Sequence, residues 1–158
     1  MAKLLIVYYS RSGNTKSMAE LIAEGAQSGG VEVELKEVAD AKVEHLLAAD
    51  GIIMGTPTYY GAMAAEIKKL LDDSVARHGK LDDKVGGAFT SSANIGGGNE
   101  TTILGILQAM LIHGMVLKGD PQGDHYGPVA IGAPDKRCTQ QCKRYGQRIA
   151  ELTSRLHG

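Results

Sequence analysis

A chain of 158 residues is long enough to bury a full core as one domain, and one domain spanning 1–158 is expected. Its 17 basic residues against 18 acidic ones form neither a basic block nor an acidic tail, which argues against nucleic acid as the main ligand and against the strongly acidic surface of a carrier that docks on basic partners. Cys138 and Cys142, the only cysteines, exclude a disulfide framework, and two sulfurs fall short of a four-ligand metal centre. They read as plain helix residues.

The first residues enter a strand with no charged-then-apolar leader, and no apolar run approaches the roughly 18 residues of a membrane span. A cytoplasmic protein without a transmembrane segment is expected. In chain order, residues 3–9 read as an apolar strand and 14–29 as a helix ended by Gly29 and Gly30. A second strand covers 31–37, where Val31, Val33 and Leu35 alternate with acidic side chains, as at a sheet edge. A short helix over 43–48 leads to a third strand, 51–55, and a third helix over 62–76 carries Met63, Ile67, Leu70 and Leu71 on one face. The fourth strand covers 85–91 and the fourth helix 100–113. A fifth strand begins at 115–117, breaks into a polar, glycine-rich excursion over 119–127 and resumes at 128–131, before a last helix over 136–156. Continuous apolar strands alternating with amphipathic helices mean an α/β fold, a parallel sheet covered on both faces with right-handed crossovers.

In such sheets ligands sit beyond the C-terminal strand ends, so the segments after strands one, three and four should converge. After the first strand come Ser10, Arg11, Ser12, Gly13, Asn14 and Thr15. A hydroxyl-rich loop opening a helix holds an anion, because the free N–H groups and the helix dipole both favour negative charge there. It is neither a P-loop nor a dinucleotide fingerprint, whose glycines are missing. Its plainer reading is an ordinary connection with Asn14 or Ser12 as N-cap. After the third strand come Pro57, Thr58, Tyr59, Tyr60 and Gly61, and after the fourth Ser91, Ser92, Ala93, Asn94, Ile95, Gly96 and Gly97. One tyrosine can lie against a ring system, and glycine-rich backbone amides can reach polar ring-edge atoms and support charge on a reduced ring. The plainer readings are surface or interface tyrosines and a flexible turn. Together the three loops suit a flat aromatic ligand with a phosphate tail.

These residues resemble the flavodoxin-like superfamily, and within it the WrbA-like NAD(P)H:quinone oxidoreductases. The resemblance rests on Lys3–Ser10, Gly55-Thr56-Pro57-Thr58, Gly61, Ser91-Ser92, Gly96-Gly97-Gly98-Asn99-Glu100 and His113-Gly114-Met115, which span most of the chain. It implies a three-layer sandwich with a five-stranded parallel sheet in the order 2-1-3-4-5. It also implies FMN, with phosphate on Ser10–Thr15 and the ring system between the 56–61 and 91–98 loops, and NAD(P)H as electron donor. The chain departs from that family in its first loop, which is closer to the flavodoxin form. It also carries Tyr59-Tyr60 for an Arg-Phe pair and Ile112 for the first of two histidines, and it has no tryptophan.

Two histidines are candidate catalytic groups. His113 ends the fourth helix and either contacts flavin or quinone oxygen from a neighbouring subunit or caps the helix. His125, on the excursion, either donates a proton to a reduced quinone or is a solvated loop residue. Two functions are expected to compete: a ping-pong enzyme passing hydride from NAD(P)H through FMN to a quinone, and a carrier moving one electron at a time to a protein redox partner. Arg11 is a candidate for reading a 2′-phosphate on the donor. A homodimer or larger assembly is expected, with the Tyr59-Tyr60 loop covered by a second subunit. A phosphoacceptor domain is excluded because Met54-Gly55-Thr56 stands where its aspartate is needed. A phosphatase of similar topology would need a cysteine in the first loop, where there is none.

Overall fold

A computed structural model describes all 158 residues. Its elements are β1 (Lys3–Tyr8), α1 (Asn14–Ala26), β2 (Glu32–Glu37), α2 (Val43–Ala48), β3 (Gly51–Pro57), α3 (Ala65–Asp73), β4 (Val85–Ser92), α4 (Asn99–Ile112), β5 (Val116–Leu117), β6 (Val129–Ile131) and α5 (Lys136–His157). The strands form one parallel sheet in the order β2-β1-β3-β4-β5, with β6 also paired to β4. The fold class and strand order expected from the sequence are those of the structure.

The pleat sorts the core into two halves. Leu4, Ile6 and Tyr8 of β1 face α1 and α5 together with Ile53 and Phe89, whereas Leu5 and Val7 face α3 and α4 with Ile52 and Met54. Burial on both faces explains why β1, β3 and β4 read as unbroken apolar or small-residue runs, while edge strand β2 is mostly exposed. Phe89, the single phenylalanine, fills its layer because Gly55 opposite has no side chain: a Cβ there would lie 2.0 Å from the ring.

Most ends differ by one to three residues from the sequence reading, and the third helix and the fifth strand differ in kind. The third helix starts at Ala65, because Tyr59 and Ala62 exchange backbone hydrogen bonds of 2.9 and 3.0 Å and close a tight turn first. It ends at Asp73 and continues as a single 3-10 turn, Ser74–Arg77. The interrupted fifth strand is two strands: β5 pairs with Val85 and Gly86, and β6 with Thr90 to Ser92. On that side the stretch of β4 between them lacks a strand neighbour, and Tyr145 of α5 repairs the gap, its hydroxyl accepting the Ala88 N–H at 2.9 Å. Gly87 leaves the passage, since a Cβ there would lie 2.3 Å from that hydroxyl.

Candidate functional site

The loops after β1, β3 and β4 converge beyond the C-terminal strand ends around a cavity of about 350 Å³. Arg11, Ser12, Asn14 and Thr15 come from the first loop, Pro57, Thr58 and Tyr59 from the second, and Ser91, Ser92 and Ala93 from the third. Gly132, after β6, completes the lining. Sequence reasoning missed it, although a strand resuming over 128–131 must end at this same edge.

The first loop is shaped from behind. Gly13 takes the N-cap position of α1 at φ +99°, so neither Ser12 nor Asn14 caps the helix. Ser10 does this work instead, its hydroxyl oxygen accepting the N–H groups of Gly13 and Lys16 at 3.2 Å each. The N–H groups of Asn14 and Thr15 then have no acceptor within the protein and remain available at the positive end of the helix. Thr15 is buried, with its Oγ1 2.9 Å from Ser91 Oγ, which locks the first loop to the third.

The second loop is tied down as firmly. Thr58 donates its N–H to Ser91 O at 2.7 Å, and its Oγ1 lies 2.9 Å from Thr90 Oγ1. Thr101 donates to Gly61 O at 2.8 Å, and Gly98 passes so close that a Cβ on it would lie 2.4 Å from Gly61 Cα. That approach is what the glycine block permits. Tyr60 and Gly61 both take positive φ, +51° and +75°, making the tight turn that leaves Tyr60 projecting wholly into solvent at 110% relative exposure. Tyr59 lines the cavity and meets Tyr9 edge to face, the ring centroids 6.4 Å apart. Asn94, Ile95, Gly96 and Gly97 form an exposed rim beyond Ala93, with Ile95 at 88% exposure.

Neither histidine is brought to this cavity. A helix following a parallel strand runs back along the sheet, so His113 stands at the far end of α4, 14 residues or about 21 Å from its start. There it is buried and bonded to Ser74 at 2.8 Å. Ser74 gives its own proton to Leu71 O, so His113 Nε2–H donates to Ser74 Oγ and the buried Nδ1 keeps a bare lone pair with no partner. Burial, and then the nearby His78 ring, hold its pKa below the usual histidine value. His125 is exposed on the 118–128 segment, its Nδ1 donating to Asp120 O at 2.7 Å, beside Lys118 and Tyr126. The cysteines sit on the buried face of α5, in the core layer it shares with α1, with their sulfurs 3.8 Å apart. The Cys142 thiol donating to Cys138 lowers the pKa of Cys138 and raises its own.

Unpaired helix N–H groups and hydroxyls at one end of the cavity suit a phosphate, and Arg11 is the only charged residue lining it. Tyr59 and a side-chain-poor backbone at the other end suit a planar ring.

Residues 6–93 match the flavodoxin family. A protein of Aquifex aeolicus named flavodoxin is 42% identical over 96% of this chain and 86% of its own length. An NAD(P)H dehydrogenase (quinone) of Archaeoglobus fulgidus is 32% identical over 99% of this chain and all of its own. Among solved structures, a flavodoxin, WrbA-like protein from Agrobacterium tumefaciens superposes with a TM-score of 0.85 at 31% identity, covering 99% of both chains. Alignment at this level, over the strands and loops that build the cavity, makes this chain a member of the flavodoxin family.

Proposed function

We propose that this chain is an FMN-dependent oxidoreductase that takes a hydride from NAD(P)H and delivers it to a quinone-like acceptor, the two substrates using one site in turn. The observation that carries the cofactor is the cavity's division into a phosphate-binding end and a ring-binding end. The N–H groups of Asn14 and Thr15 and the hydroxyls of Ser12 and Thr15 would hold the phosphate. Tyr59 and the 93–97 backbone would flank the ring. FMN supplies reversible two-electron and one-electron chemistry when bound; the protein contributes position and a fixed electrostatic surround.

The rim favours an enzyme over a carrier. Asn94, Ile95 and the run of three glycines leave one side of the ring site open to a stacking substrate, where a carrier would place a covering aromatic. Relatives named NAD(P)H dehydrogenase (quinone) support this reading, while the Aquifex aeolicus protein named flavodoxin supports a one-electron carrier serving a protein partner. The free guanidinium of Arg11 on the rim suits the 2′-phosphate of NADPH. With neither histidine near the cavity within one chain, a proton for the reduced acceptor would come from solvent. The exposed Tyr60 and Ile95 support assembly as a homodimer, which sedimentation tests directly: a monomer that binds FMN tightly overturns it.

The deciding experiment is anaerobic mixing of the FMN-loaded protein with NADH or NADPH while following the flavin spectrum. Rapid bleaching, reversed by benzoquinone, is expected, with NADPH the faster donor. A flavin that ignores both nucleotides yet bleaches with dithionite would assign the carrier function instead.

A further inference from the structure

A second cleft, of about 310 Å³, opens behind the cofactor cavity between the segment after β2 and helix α3. It is close in size to the first, and in the range of small-molecule sites. Its floor is apolar: Val38, Ala39 and Ala41 from one side and Leu70 from the other, with two alanines leaving the space unfilled. Tyr9 forms the end wall and touches Tyr59 edge to face, so one aromatic pair separates the two cavities.

The charges around this floor are unequal. Glu37, Glu66 and Asp73 line the cleft against a single cation, Lys69. Lys69 is spoken for by Asp73 at 2.7 Å, so Glu37 and Glu66 are left without an ion-pair partner on a partly apolar surface. The charge of Glu66 reaches the wall: burial first, and then Glu66, raise the Tyr9 phenol above its ordinary pKa. No three acidic or histidine side chains converge closely enough to chelate a metal ion. What the cleft lacks is a positive charge carried on an apolar body.

We infer that this cleft is a second ligand site, taking a small organic cation whose flat apolar part rests on Val38, Ala41 and Leu70 while its charge meets Glu37 and Glu66. The Tyr9 ring adds a cation–π face at the closed end. Such an occupant replaces water on the apolar floor and neutralises two unpaired carboxylates, both favourable changes. A neutral or anionic ring of the same size gains only the first.

Benzamidinium tests this, titrated into the FMN-loaded chain and followed by amide chemical shifts, with benzoate as the control of opposite charge. Saturable shifts confined to Tyr9 and residues 37–41 and 66–73 are expected, with a Kd around 1 mM. The double change Glu37→Gln and Glu66→Gln, on exposed side chains whose loss leaves the fold intact, should weaken binding about fivefold. Equal shifts from benzoate, shifts outside the cleft, or unchanged binding by the double variant would overturn the site. The inference stands apart from the cofactor reading: failure to load FMN would remove that reading alone, since the same titration runs on the FMN-free chain.

Discussion

Tyr60 holds a left-handed conformation at φ +51° while its ring touches nothing, a placement that folding alone does not reward. Asparagine tolerates that region better. Tyr60→Asn should therefore stabilise the isolated chain by about 0.5–1 kcal/mol, read as a small rise in the midpoint of thermal unfolding. If the proposed function holds and the ring meets substrate or a second subunit, turnover with NAD(P)H and quinone should fall in the same variant. A variant both less stable and fully active would show that Tyr60 does neither. Thr15 works in the opposite sense, buried and doubly useful. Thr15→Val keeps the shape but removes the hydroxyl that holds Ser91 at 2.9 Å and faces the phosphate end. FMN affinity should drop about tenfold, equivalent to roughly 1.4 kcal/mol, measured by quenching of flavin fluorescence.

Elements were legible wherever a periodicity or an apolar run governs them. The alternation of strands and helices, the parallel sheet and the convergence of three loops follow from local pattern, because burial on both faces writes itself into β1, β3 and β4. The late start of α3 was not legible, since the Tyr59–Ala62 turn depends on Thr101 and Gly98 of a distant segment holding Gly61. The environment of His113 was not legible for a different reason: its residue type suggests a site, and only the direction of α4 and the Ser74 hydroxyl show that within its own chain it lies away from the loops. Tyr145 escaped notice because its hydrogen bond answers a gap in β4 that exists only once β5 and β6 have split. Removing that hydroxyl tests how much the repair matters. Tyr145→Phe leaves the ring in the core and the Ala88 N–H buried without an acceptor, so a loss of about 1–3 kcal/mol is expected in urea unfolding.

Across the whole molecule, charge is organised so that acid attacks it in two stages. Asp120 anchors the 118–128 segment to α5, accepting from Arg144 at 2.7 and 3.1 Å with Arg148 at 3.3 Å. The hydrogen bonds from Arg144, working against the desolvation of the carboxyl and aided by the Gln122 N–H and the Arg148 charge, lower its pKa to about 2. A carboxylate depressed in the folded state is more easily protonated in the unfolded chain, so its contribution is complete above about pH 4 and disappears between there and about pH 2. With Arg144 a third exposed, that contribution is on the order of 1 kcal/mol after solvent screening. His113 acts earlier. Buried and neutral, with its pKa held low by burial and by His78, it resists a proton that an unfolded histidine accepts near pH 6.5. Stability is therefore full above about pH 6.5 and declines as pH falls below it. Chemical denaturation across pH should show a first decline starting there and a second below about pH 4. His113→Gln, whose amide can still donate to Ser74, should erase the first decline and leave the second; Asp120→Asn should lower the neutral plateau and flatten the second alone. Because both groups lie away from the cofactor cavity, FMN affinity measured at neutral pH should be the same in the two variants as in the parent. A change there would mean that the far end of α4, or the 118–128 segment, is coupled to the loops that build the site.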